Sequence, residues 1–66
     1  MNTAYQNEWT SCKLTLPPQG EVVKTKIMDA QGTRNEADLK LKNNLWWLPD
    51  GSMYVYYTPT HWEFKK

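Results

Sequence analysis

The segment "LWWLPDGSMYVYY", residues 45–57, places five aromatic side chains in thirteen positions of a chain of 66 residues. Its centre, Pro49-Asp50-Gly51, is typical of a tight turn, and the aromatic and β-branched residues on both sides predict a β-hairpin. We expect a type I turn with Pro49 and Asp50 at its centre and Gly51 as a left-handed bulge. A two-residue Asp50-Gly51 loop is less favourable, because Pro49 has no N–H for the closing pair.

The expected turn places Trp47 opposite Met53 and Leu45 opposite Val55. Because successive side chains of a strand point to opposite faces, the hairpin then has a core face and an outer face. The core face is predicted to carry Leu45, Trp47, Met53, Val55 and Tyr57. The outer face is predicted to carry Trp46, Leu48, Ser52, Tyr54 and Tyr56.

The rest of the chain also reads as strands separated by turns. Residues 34–43, "RNEADLKLKN", have helix propensity, but their apolar residues alternate strictly with polar ones, which is the period of a half-buried strand. A turn at Gly32 joins this strand to residues 22–28 and places the bulge at that glycine. The predicted pairs are Asp29 with Thr33, Val23 with Leu39, Thr25 with Ala37, Lys24 with Asp38 and Lys26 with Glu36; the last two bring opposite charges together.

These patterns predict an all-β fold, a small single-domain antiparallel meander of four to five strands. Its strands are "VVKTKIM", "RNEADLKLK", "LWWL" and "MYVYYT". The segments "WTSCKL" and "THWEF" are expected to pair at its edges or to close it into a small SH3-like barrel. Residues 9–66 form the single β domain in this interpretation, and residues 1–8 form a flexible N-terminal arm.

Composition excludes several classes of protein. Eight Lys and Arg against seven Asp and Glu give a net charge of +1, which is not the basic balance of a typical nucleic-acid-binding domain. Cys12 is the only cysteine, so an internal disulfide and a cysteine-based zinc site are excluded. The first residues lack the pattern of a secretory signal, and no stretch is long and apolar enough to span a membrane. We therefore expect a cytoplasmic protein without membrane association.

Candidate catalytic residues are few. His61 is the single histidine, and it is expected to pack beside Trp9 or Trp62 with a satisfied hydrogen bond rather than to act as a general base. Cys12 is expected to be a small buried apolar residue. The tryptophans Trp9, Trp47 and Trp62 are expected in the core. The sequence predicts no enzyme, no cofactor and no metal site.

One resemblance extends over residues 9–62. Trp9-x-Ser11 is followed by Leu16-Pro17 and Gly20, and the chain continues through Pro49-Asp50-Gly51 to Thr60-His61-Trp62. This ordered set resembles a small phage and prophage family that is known only as a domain of unknown function. Members of that family tend to continue into a proline-rich tail, whereas this chain ends in "EFKK". The resemblance implies a phage-type origin and a small β fold, and it implies no mechanism.

The outer face of the hairpin is the candidate functional surface: Trp46, Leu48, Tyr54 and Tyr56. It is either a second buried layer or a binding site, since exposed aromatic patches mark interaction sites. The leading hypothesis is a non-enzymatic accessory protein that binds a protein partner, either a host or phage protein or a second copy of this chain. The alternative is a nucleic-acid or nucleotide binder that stacks bases on the same rings and contacts phosphate through Arg34, Lys40 and Lys42.

Overall fold

The computed structural model describes residues 9–65, which form one five-stranded antiparallel sheet. The strands are β1 Thr10–Ser11, β2 Val22–Asp29, β3 Gly32–Lys42, β4 Leu45–Trp47 and β5 His61–Phe64. Their order across the sheet is β1-β5-β2-β3-β4. The predicted all-β antiparallel fold is confirmed, while the barrel alternative is wrong because the sheet is open. The predicted N-terminal arm, residues 1–8, lies outside the described residues.

Strands β2 and β3 form the central hairpin. Val23 lies opposite Leu39 and Thr25 lies opposite Ala37, as predicted from the alternation of apolar and polar residues. These pairs place apolar side chains from both strands on one face, which is called the inner face below. Residues 34–42 are therefore strand and not helix.

The tip of this hairpin differs from the prediction. Asp29 lies opposite Gly32 rather than Thr33, so the loop has one residue fewer than expected. The Asp29 carboxylate accepts a hydrogen bond from the N–H of Gln31, 2.9 Å away, which favours a tight turn. The register shift falls further along the hairpin, where Asn35 has a φ of 58°. Asparagine tolerates this left-handed conformation better than most residues.

Two consequences for the charged residues follow from this register. Lys26 and Glu36 do not pair across the ladder, so that predicted pair is wrong. Lys24 does lie opposite Asp38, but its ammonium group forms an ion pair with Glu63 of β5 at 3.1 Å. Asp38 instead binds Lys65 at 2.8 Å.

The terminal segments extend the sheet on the side of β2. Strand β5 pairs with β2, so that Trp62 lies opposite Thr25, and β1 pairs with β5 at the sheet edge. This confirms the predicted pairing of the opening and closing segments at the edge of the meander. In contrast, the predicted last strand "MYVYYT" is not a strand; it contributes a single bridge, between Tyr54 and Trp47 of β4.

The core lies on the inner face of the sheet. Its buried apolar side chains are Val23, Leu39, Leu41, Trp46 and Trp62. Residues 12–21 and 48–60 cover this face in place of a second sheet: the indole N–H of Trp62 donates to the carbonyl of Thr15 at 2.9 Å, and Val55 packs against the core. The opposite face, which carries Lys24, Lys40 and Trp47, is called the outer face below.

Candidate functional site

The turn between Leu48 and Met53 determines which aromatic residues face the core. The N–H of Gly51 donates to the carbonyl of Leu48 at 2.8 Å, and Gly51 has a φ of +76°. The predicted turn around Pro49 and Asp50, with its left-handed glycine, is thus confirmed. However, the N–H of Leu48 donates to the carbonyl of Met53 at 3.0 Å, so the loop is one residue longer than predicted.

Ser52 is the extra residue of this loop, and Asp50 holds it there. The Asp50 carboxylate accepts a hydrogen bond from the backbone N–H of Ser52 at 2.9 Å. This bond lowers the pKa of Asp50, because it stabilises the ionised carboxylate. Side chains that capture a nearby backbone N–H compete with the strand ladder for the same group. The loop therefore closes on Leu48 and Met53 instead of Leu48 and Ser52.

A register shift of one residue exchanges the two tryptophans between the faces. Trp46 accepts a backbone hydrogen bond from Val55 and is only 6% exposed in the core. Trp47 lies opposite Tyr54 on the outer face and is half-buried. The prediction that Trp47 is core and Trp46 is exposed is wrong for both residues.

The other residues of the candidate surface separate in the same way. Leu48 is half-buried and packs against the core, which contradicts its predicted place on the outer face. Tyr54 and Tyr56 are exposed, at 55% and 94%. Of the predicted core-face residues, Val55 and Tyr57 pack against the core, as expected, whereas Leu45 and Met53 are exposed.

The exposed tyrosines belong to residues 53–57, which we call the tyrosine segment. Exposed side chains at Met53, Tyr54 and Tyr56 alternate with half-buried ones at Val55 and Tyr57. Partial burial raises the pKa of Tyr57, since desolvation disfavours the phenolate. The segment thus presents three large apolar or aromatic side chains to solvent while its alternate residues hold it on the core.

Trp47 has a fixed orientation on the outer face. Its indole N–H donates to the carbonyl of Lys42 at 3.1 Å, and its ring meets that of Tyr54 edge to face, with centroids 5.4 Å apart. Lys40 is its direct cross-strand partner. Sequence reasoning missed Trp47 as a surface residue because the loop length assigned it to the core.

These residues border a small pocket of about 280 Å³, which we call the basic pocket. It is lined by Lys40, Lys42, Asn43, Trp47 and Gly51. Two of the three residues predicted as phosphate contacts, Lys40 and Lys42, thus lie together beside an aromatic ring. Arg34 does not join them: it binds Asp29 through two hydrogen bonds, at 3.0 and 2.9 Å, near the tip of the β2–β3 hairpin.

A second and larger concavity opens on the inner face. This apolar groove, of about 570 Å³, runs between the two segments that cover the core. Leu16, Met28, Trp46 and Pro59 contribute apolar surface, and His61 and Cys12 also line it. Leu16 and Met28 are themselves exposed.

The residues with catalytic side chains occupy structural positions. The Nδ1 atom of His61 lies 2.7 Å from the Oγ1 atom of Thr60, so the ring has the expected hydrogen-bond partner. Cys12 is half-buried and packs against the core, and burial raises the pKa of its thiol, which lowers its reactivity. Among residues 9–65, no three His, Cys, Asp or Glu side chains are grouped closely enough to hold a metal ion. In the same range no helix has the length and apolar character needed to cross a membrane.

Trp9 and Trp62 differ in their surroundings, although both were predicted in the core. Trp62 is buried, 5% exposed, and confirms the prediction. Trp9 is half-buried beneath charged side chains: the Lys26 ammonium lies 4.2 Å from its ring centroid and that of Lys24 lies 5.7 Å away. Such contacts are cation–π interactions.

Comparisons with known proteins add no family assignment: no protein-family model, curated protein or solved structure matches the chain.

Proposed function

We propose that this protein is a non-enzymatic binding module that docks on a protein partner through the tyrosine segment. The observation that carries the proposal is the exposure of Tyr56, 94%, beside the exposed Tyr54 and Met53. Tyrosine and tryptophan supply much of the binding energy at protein interfaces, because each buries a large area and loses little conformational entropy.

Several further apolar side chains are exposed, which supports a protein partner. They include Leu14, Leu16 and Met28, and the last two line the apolar groove. An apolar side chain of a partner fits this groove, since binding pockets are concave and mostly apolar. A chain with a net charge of +1 also lacks the strong field that steers binding to polyanions. The phage-type origin implied by the sequence resemblance makes a host or phage protein the proposed partner.

Site-specific photo-cross-linking tests this proposal. A photoreactive phenylalanine analogue at position 56 is expected to form a covalent adduct with one protein in cells, and the adduct should survive nuclease treatment. The same analogue at Gln31, an exposed residue of the β2–β3 turn, is the matched control and should not form it. An adduct formed equally from both positions would contradict docking at the tyrosine segment.

Purified partner then allows affinity to be measured. The double change Tyr54→Ser, Tyr56→Ser is expected to weaken binding by at least about thirtyfold, since loss of an aromatic anchor often costs about 2 kcal/mol or more. The thermal melt should remain close to that of the parent, because both side chains are exposed. An adduct between two copies of this chain, with a concentration-dependent mass in sedimentation, would identify self-association instead.

A further inference from the structure

We propose that the basic pocket binds single-stranded nucleic acid, with an unpaired base stacked on Trp47 and the adjoining phosphates bound by Lys40 and Lys42. The inference is independent of the protein partner proposed for the tyrosine segment. It rests on three features of the pocket: available positive charge, a fixed aromatic ring and a size suited to one nucleotide.

The two lysines of the pocket are available for an anion. Within residues 9–65, the three ion pairs engage Lys24, Arg34 and Lys65. Neither Lys40 nor Lys42 forms an ion pair in that part of the chain. Both residues point to the outer face of β3, two positions apart, which corresponds to a spacing of roughly 6.6 Å along the strand. Two ammonium groups at that spacing can contact successive phosphates of one strand.

Asp50 is the acidic residue nearest to this pair that affects the argument. Its carboxylate accepts the N–H of Ser52, so one strong acceptor is already used within the loop. Lys40 lies over the same turn: a Cβ atom on Gly51 would lie 3.6 Å from the Lys40 ammonium nitrogen. The absence of a side chain at Gly51 therefore leaves that ammonium group room beside the turn.

The aromatic ring of the pocket is preorganised. The hydrogen bond from Trp47 to Lys42 and the edge-to-face contact with Tyr54 fix the indole before any ligand arrives. A ring that is already ordered loses little entropy on binding. Base stacking on such a ring contributes about 1–3 kcal/mol per base, and it requires a base that is not in a duplex.

The volume of the pocket sets the size of the ligand. At about 280 Å³ it lies just below the range of roughly 300–1,000 Å³ typical of pockets for drug-sized ligands. A single base with its phosphates is a suitable occupant. The other aromatic residue on the outer face, Trp9, does not extend the site, because the Lys26 ammonium already lies over its ring at 4.2 Å.

Fluorescence anisotropy with a short labelled oligothymidylate tests the proposal at about 50 mM and about 200 mM salt. The variant Lys40→Gln, Lys42→Gln is expected to bind at least tenfold more weakly than the parent. Its plot of log affinity against log salt should be shallower by about 1.4, because each lost phosphate contact to a single strand removes about 0.7. The matched control, Arg34→Gln, Lys65→Gln, removes the same charge elsewhere and should bind within twofold of the parent.

Stacking has its own measurement. Oligothymidylate should quench the intrinsic tryptophan fluorescence of the parent, and Trp47→Phe should retain binding while losing most of the quenching. Three results would overturn the inference: absence of saturable binding at low salt, equal loss of affinity in the control variant, or polyglutamate binding as tightly as the oligonucleotide. Displacement by an equal concentration of thymidine monophosphate would also overturn it, since the site would then take a free nucleotide and not a strand.

Discussion

Trp46 and Trp47 are adjacent in the chain and have opposite environments. Trp46 is buried among the core residues of the inner face, whereas Trp47 is half-buried on the outer face. Removing a large buried ring leaves a cavity and costs about 3–5 kcal/mol. We expect Trp46→Ala to lose that amount in urea denaturation, which is comparable to the entire stability of about 3–5 kcal/mol for a domain of this size.

Trp47→Ala is the matched control for this residue-scale prediction. It removes the same side chain but only a half-buried ring and its contact with Tyr54, so a loss of about 1–2 kcal/mol is expected. Because Trp46→Ala will not fold if it loses the full stability, Trp46→Phe gives a smaller loss that remains measurable. Equal denaturation midpoints for the two alanine variants would contradict the observed register.

At the scale of elements, the turn that joins β4 to the tyrosine segment depends on one glycine. Gly51 has a φ of +76°, a conformation that costs an L-residue about 1–2 kcal/mol. The expected effect of Gly51→Val is a loss of that size in the free energy of unfolding. A Cβ at this position would make an ordinary contact with Lys40 at 3.6 Å, so the cost arises in the backbone and not from a clash.

Gly51→Asn separates backbone strain from the mere addition of a side chain. Asparagine adopts the left-handed conformation more readily, so this variant should unfold close to the parent midpoint in urea. If valine and asparagine destabilise the domain equally, contacts of the side chain and not the value of φ dominate at this position.

The elements differ in how far their sequences predict them. The β2–β3 pairs near Val23 and Leu39 are predictable because a shift of one residue would move a whole apolar set to solvent. The loop after Leu48 is not, since both candidate registers bury one tryptophan and expose the other. The choice depends on one exposed hydrogen bond, from the Ser52 N–H to Asp50. The candidate site inherits this ambiguity: Lys40 and Lys42 were identified, and the ring beside them was not.

For the whole molecule, the sheet has only one layer, covered on its inner face by irregular segments instead of a second sheet. Strand β2 joins the two sides, because it pairs with β3 on one edge and with β5 on the other. The most buried residues, Val23 and Leu39, lie on this central pair. The tyrosine segment is joined to β4 by backbone hydrogen bonds at Leu48 and Val55, at a sheet edge. Stability is therefore expected to fall from the centre of the sheet toward this segment.

Native-state hydrogen exchange measures this gradient, since proteins open locally at free energies below that of global unfolding. The amides of Val23 and Leu39 should exchange only through global unfolding, while that of Val55 should open at lower free energy, with at least about tenfold less protection. Such an opening would let the exposed tyrosines adapt to a partner without loss of the sheet. If Val55 is as protected as Leu39, the tyrosine segment belongs to the same cooperative unit as the core, and a partner must bind it as a rigid surface. In that case Tyr54 and Tyr56 would dock without rearrangement, and partner binding would leave the protection of Val55 unchanged.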